Sequence, residues 1–260
     1  MNFIQANNYS TGSTYIQGSA APAAQIFEGY GQDIETCTDV CRGHMVHASL
    51  DNGKKIDVSW LRSAAETYHI SPDLRDYVIA EIPIVTVDVP NRRMDCFPFA
   101  EISKFRFLHG RTAYKTFLGK PTFIDHNNQI KEDAKGVHFD ASLHPWRKTA
   151  DGRQIWKVSV LAGFDRSKDS ALATAILKKQ RTGYSMGALV DYTTCNVCGE
   201  TTSGRMHCSH QPTKSAKGTI ITVGGVPTLV YDMCHNINFI ETSSVEEPAD
   251  FLARTTTFWN

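Results

Sequence analysis

Long uncharged apolar runs are missing from this sequence of 260 residues, so no segment reads as a membrane-spanning helix. An excess of either charge is missing too, since 27 Lys and Arg balance 27 Asp and Glu. A basic stripe able to gather nucleic acid is therefore not expected. The opening stretch MNFIQANNYSTGSTYIQGSA lacks the basic start and apolar block of a secretory signal, which makes a cytosolic compartment the expectation. Residues 1–27 carry no charged side chain at all and are rich in Asn, Ser, Gly, Ala and Gln. With so little to bury, they are expected to form a mobile arm or propeptide ahead of one domain at 28–260.

The composition that remains is that of a globular protein, with 41% hydrophobic and 21% charged residues. Helical spacing of Val58, Leu61, Ala65 and Tyr68 predicts a helix over 56–69, and alternation in YVIAEIPIVTVDVP predicts a strand over 77–90. RTAYKTFLGK (111–120) reads as a short helix closed by Gly119, and PTFIDHNN as a strand running into a turn. Strands are expected at 135–144 and 154–165, followed by an Ala-rich helix at 167–183, capped by Ser167 or Asp169 and stopped by Gly183. YSMGALVDYTT, a hairpin around Gly224-Gly225 within 218–233, and a last strand at 239–245 complete a strand-rich pattern without a βαβ rhythm. The class expected is α+β.

Seven cysteines is an odd number, and three of them crowd together. Cys195-x-x-Cys198, then nine residues, then Cys208-x-His210 places four soft ligands within sixteen positions. Gly199 allows the tight turn that aims the first two sulfurs at one point. Thiolate and imidazole donors in a set of four favour zinc, and a complete Cys₃His set leaves no open position for catalysis. The expectation is a structural zinc knuckle inserted at about 194–212, with His207 and Cys234-His235 as alternative ligands. One arginine and no aromatic in CNVCGETTSGRMHCSHQ argue against a nucleic-acid-binding knuckle. Cys37, Cys41 and Cys96 receive no function; His44 and His47 beside the first two suggest a metal site less readily than a short amphipathic segment.

A serine hydroxyl needs a neighbouring base before it can act as a nucleophile. Ser185 lies in Gly183-Tyr184-Ser185-Met186-Gly187, between the best helix and the strand after it. His126 ends the apolar run of Gly119-Lys120-Pro121-Thr122-Phe123-Ile124-Asp125-His126. Taken singly, each reads more simply as turn chemistry. Taken together and in this order, GKPTFIDHNN, the strands, the Ala-rich helix and TGYSMGA resemble the prohead maturation proteases of tailed phages. A third fragment, Phe239-Ile240-Glu241-Thr242-Ser243-Ser244-Val245-Glu246-Glu247-Pro248-Ala249, is similar to that family's closing strand.

The resemblance, over roughly residues 75–250, implies a barrel-like, mainly antiparallel β core flanked by helices, related to the herpesvirus assembly proteases. It implies a serine endopeptidase with Ser185 as nucleophile, His126 as base, and amides around Met186-Gly187 as oxyanion donors. Glu241 is the first choice to orient the histidine, with Asp140, Asp191 and a second histidine (His207, His210 or His235) as alternatives. Implied substrates are scaffold and major capsid proteins inside a prohead assembling in the host cytoplasm, with no nucleic acid or membrane as partner and room for a homo-oligomer. Self-trimming is expected after Glu28, with Glu81 and Glu246 in similar contexts. A protease fold that has become a silent capsid or tube component, and an esterase of the α/β-hydrolase type using Asp232 and His235, are the competing readings.

Overall fold

The structure is a computed structural model, and it describes residues 2–5, 58–250, 252–254 and 257–259. Its strands, in chain order, are β1 Asn2–Gln5, β2 Tyr77–Thr86, β3 Asp95–Cys96, β4 Phe105–Arg106 and β5 Arg111–Thr112. They continue with β6 Pro121–Ile124, β7 Gly136–Lys148, β8 Gln154–Asp165, β9 Gly183–Val190 and β10 Tyr192–Cys195. The last five are β11 Ile220–Val223, β12 Val226–Leu229, β13 Asp232–His235, β14 Asn238–Val245 and β15 Thr257–Trp259. Helices are few and short: α1 Leu61–Tyr68, α2 Phe99–Ile102 and α3 Ser170–Leu177. The fold is α+β, dominated by strands.

One eight-stranded sheet runs β1-β9-β14-β6-β7-β8-β2-β15. Every pair in it is antiparallel except β14 with β6. The order has two ends, and no closed barrel is found among the described residues. β14 is buried along its whole length, and β7 and β8 are buried over most of theirs, yet several of the covered side chains are polar, Glu241, Thr242, Ser243 and Ser244 among them. Phe117 stacks on Phe239 with ring centroids 4.2 Å apart, while Phe139 packs edge-on against Tyr77 at 5.5 Å. α1 buries Leu61, Ala64, Ala65 and Tyr68, the i, i+3, i+4, i+7 stripe of a one-sided helix.

Two helix expectations need correction. Residues 111–120 form β5 and a 3-10 turn, Ala113–Phe117, rather than an α-helix. Thr116 Oγ1 bonds back to the Ala113 carbonyl at 2.6 Å and its neighbour Phe117 is drawn into the core, so the segment is spent on side-chain contacts and tight turns. The Ala-rich helix is shorter than 167–183. Asp169 caps it by accepting from the Leu172 N–H, and it ends at Leu177, with Lys179 in the left-handed conformation. Gly183 does not stop that helix; it opens β9, where a Cβ would sit 2.6 Å from the Val245 carbonyl oxygen.

The Gly224-Gly225 hairpin forms as the residues suggest, with both glycines at positive φ joining β11 to β12. Within the stretch read as a mobile arm, Asn2–Gln5 are described, and they form a strand paired with β9. Residues 6–57, with Glu28, Cys37 and Cys41, lie outside the described residues.

Candidate active site

β9 and β6 flank β14 on its two sides, and this arrangement brings the three fragments of the sequence together. Across β9 and β14, Ser185 faces Ser243 and Gly187 faces Glu241. Facing residues of neighbouring strands project from the same side of a sheet, and residues two apart on one strand do so too. Ser185, Gly187, Glu241 and Ser243 therefore share one face. On the other flank, Ser243 faces Phe123 of β6, and β6 ends one residue later at Ile124.

The chain turns there on two residues in the left-handed region, Asp125 at φ 49° and His126 at φ 56°, closed by the Asn127 N–H on the Ile124 carbonyl at 2.9 Å. Asp, Asn and His tolerate this conformation better than most side chains. The turn is fastened to β14 at several points. Asp125 N–H donates to the Ser244 carbonyl at 3.0 Å, and His126 N–H donates to Ser243 Oγ at 3.1 Å. Arg181, two residues ahead of β9, holds Asp125 Oδ1 at 2.8 Å and Ser244 Oγ at 2.7 Å.

So placed, the His126 imidazole sets Nδ1 2.8 Å from Glu241 Oε1, with side-chain exposures of 8% and 1%. The other carboxylate oxygen accepts from the Ser243 hydroxyl at 2.8 Å. A carboxylate in this position accepts the Nδ1 proton, which leaves the Nε2 lone pair as the basic site. Glu241 can lie here because residue 187 is glycine: a Cβ at that position would be 2.5 Å from Oε1 and 3.0 Å from Cγ of the glutamate.

Ser185 is buried, and its Oγ has no hydrogen-bond partner among the described residues. His126 Nε2 is likewise buried and without a partner, so no hydrogen bond joins the two atoms. Buried polar atoms left unmatched are rare and call for an explanation. The oxyanion expectation also sharpens. Tyr184 N–H donates to the Ala253 carbonyl on the outer edge of β9, so strand alternation turns the main-chain groups of Met186 to that edge and those of Gly187 towards β14.

The other candidates for the third residue lie elsewhere. Asp140 is bound to Lys115 Nζ at 2.9 Å and to its neighbour's amide. Asp191 is exposed, and its N–H donates to the His235 carbonyl. His235 contacts Thr194 Oγ1 at 2.8 Å and stacks on Tyr192, while Asp232 accepts from Thr202 and Lys217. Asp232 and His235 thus have separate partners, and Ser185 sits inside an antiparallel strand. Neither matches a strand-turn-helix nucleophile elbow. Glu81 lies in β2, paired on both sides, so its peptide bond is shielded.

Sequence reasoning overlooked Ser243 and Arg181 as parts of the site. Ser243 stands two residues after Glu241, and that spacing on a strand was the available signal. Arg181 lies between α3 and β9, and nothing in its sequence context signals its contacts with Asp125 and Ser244.

The second cluster lies at the end of β10. Ligand atoms of Cys195, Cys198, Cys208 and His210 all fall within 4.8 Å of one another, a set able to hold a metal ion. Val197 N–H points at Cys195 Sγ at 3.4 Å, and Gly199, at φ 75°, bonds back to the Cys195 carbonyl. Burial opposes ionisation of the Cys195 thiol, but the amides of Cys198 and Val197 and the adjacent thiols outweigh it, so its pKa falls below the ordinary range. His210 Nδ1 is buried and has no partner among the described residues, which fits a ring oriented for coordination. Asn196 stitches this knuckle to the β12–β13 connection through Tyr231 N–H and the Leu229 carbonyl. Lys217 bridges Asp95 of β3 and Asp232 of β13 beside it.

No family model, no characterised protein and no solved structure matches this chain.

Proposed function

We propose that this chain is a serine endopeptidase of the prohead-maturation kind. The observation that carries the reading is the His126 Nδ1–Glu241 contact at 2.8 Å, beside a strand whose Ser185 faces the same side. In the proposed reaction His126 Nε2 takes the Ser185 proton as Oγ attacks a peptide carbonyl. Glu241 holds the imidazole in the required tautomer and balances the imidazolium, and Ser243 keeps the carboxylate in place. The outward N–H of Met186 stabilises the tetrahedral oxyanion. His126 then gives its proton to the leaving amine; in the second half it takes a proton from a water that attacks the acyl carbon and returns that proton to Ser185 Oγ as the ester bond breaks.

The two unmatched atoms are compatible with this scheme. Catalytic hydrogen bonds are often open before substrate arrives and tighten in the complex. A barrel-like wrapping of the sheet belongs to the same proposal, as do scaffold and major capsid proteins as substrates and the assembling prohead as the place of action. The Cys₃His cluster is read as a structural zinc site: its four protein donors complete a tetrahedral shell, and its contribution is to rigidify the insertion after β9 and β10.

A silent capsid or tube component built on the protease fold is the second reading, favoured by the missing Ser185–His126 hydrogen bond. Co-expression with candidate head proteins separates the two. Processing by the parent chain, lost in both Ser185→Ala and His126→Ala, supports the peptidase; processing that survives both substitutions removes it.

A further inference from the structure

The outer edge of β9 carries a second piece of information about the site. Asn2–Gln5 pairs antiparallel with Gly187–Val190, Gln5 opposite Gly187 and Asn2 opposite Val190. At the other end of β9, Gly183 bridges Arg254 and Tyr184 N–H reaches the Ala253 carbonyl. Among the described residues, the stretch between these covers, Ser185 and Met186, has no ladder partner on that side. Alternation turns the main-chain donors and acceptors of Met186, Ala188 and Val190 to this edge. An edge of this kind is a template for an added strand.

We infer that the outer edge of β9 is a strand-addition groove for an extended peptide, and that Asn2–Gln5 is a built-in competitor for it. A peptide pairing antiparallel with β9 in the register of β1, extended past Gly187, crosses the stretch beside Ser185 that no described residue pairs on this side, and meets the Met186 N–H. Main-chain hydrogen bonds supply its affinity, and side chains alternating along it supply selection. The resident strand is tethered to the same chain through residues 6–57, so it competes intramolecularly, at an effective concentration that falls with tether length from the roughly millimolar range of short linkers. Peptide access to Ser185 then requires Asn2–Gln5 to leave. This deepens the peptidase reading and rests on it for the link to turnover, but strand exchange itself is measurable without turnover.

The test uses the full chain carrying Ser185→Ala, and a fluorescein-labelled synthetic peptide MNFIQANNYS as probe. Ile4 faces Ala188, so Ile4→Pro deletes a donor to the edge, whereas the N–H of Gln5 turns away and Gln5→Pro keeps the ladder. Ile4→Pro should bind the probe at least about tenfold more tightly than the parent, and its Ala188 and Val190 amides should exchange at least about tenfold faster until probe is added. Gln5→Pro should match the parent in both. Equal protection of these amides in the parent and Ile4→Pro, or no probe binding to Ile4→Pro, overturns the inference. Amide–amide NOEs between Asn2–Gln5 and Gly187–Val190 in the Ser185→Ala chain test the pairing without any strand substitution, and their absence overturns it as well. Because Ser185 is absent throughout, these outcomes are independent of whether the parent hydrolyses peptides.

Discussion

Gly187 and Glu241 face each other across β9 and β14, and the carboxylate of one occupies the space where the other would carry a side chain. The glycine two residues after the serine is thus needed for the neighbouring strand's acid, not for a positive φ. Gly187→Ala should force Glu241 off His126, since its Cβ would begin 2.5 Å from Oε1. Hydrolysis should fall by roughly 100-fold or more, in keeping with the sensitivity of such constellations to displacements of about an ångström. Steady-state rates on a cleaved head-protein peptide check this, with near-parental activity as the contrary result.

Glu241→Gln asks a narrower question. The amide has nearly the shape of the carboxylate and can still accept from Ser243 or His126, but it carries no charge to balance an imidazolium. If the pair acts as proposed, kcat should drop by roughly 10³–10⁴ while substrate affinity holds, as for other triads whose acid is neutralised. A fall in affinity with kcat unchanged would assign Glu241 to binding instead. Asp140→Asn is the control. Its carboxylate is held by Lys115, so activity should stay within about threefold of the parent, the range expected of a group that leaves transition-state contacts untouched.

Much of this architecture was legible in the residues. The hairpin at Gly224-Gly225 and the strands β7 and β8 follow from alternation and turn residues, whereas the meeting of β6, β9 and β14 does not follow from them. The knuckle was legible from ligand spacing alone. Other features were hidden because they depend on contacts distant in sequence. Ser243 looks like any strand serine until the His126 turn is laid against it. Residues 113–117 carry helix-compatible side chains, yet packing of Phe117 against Phe239 selects a tighter turn. Asn2–Gln5 is only four residues, with Phe3 and Ile4 between polar ends, too short a pattern to mark a strand, and its pairing rests on an open sheet edge.

The knuckle predicts a metal-dependent stability. Purified under reducing conditions, the chain should carry one zinc by elemental analysis, and Cys198→Ser should lower that content. Removing the ion by chelation should lower Tm by roughly 5–10 °C, the size expected when a few kcal/mol leave a domain of this length. Hydrolysis measured well below the new Tm should change little, because the four donors leave no position for substrate. Loss of all activity at low temperature with the fold retained would instead tie the metal to the chemistry.

A last expectation concerns acid. His138 is fully buried between Lys120 and Thr242, its Nδ1 2.8 Å from the Lys120 carbonyl and its Nε2 2.9 Å from Thr242 Oγ1. Nδ1–H must donate to the carbonyl, so Nε2 accepts from the hydroxyl and the ring is neutral; burial pushes its pKa down to about 3. In the unfolded chain the same ring titrates near its ordinary value, about 6.5. Between these two values the unfolded state binds the extra proton, so stability falls as pH drops from about 6.5 towards 3, by about 1.4 kcal/mol per unit. At pH 5 the loss from this one residue is therefore about 2 kcal/mol relative to pH 7. Denaturant unfolding of the parent and of His138→Gln at both pH values checks it. The variant should be less stable at pH 7 but lose about 2 kcal/mol less on acidification, since glutamine does not titrate. An equal loss in the two proteins would show that the acid sensitivity arises at other groups.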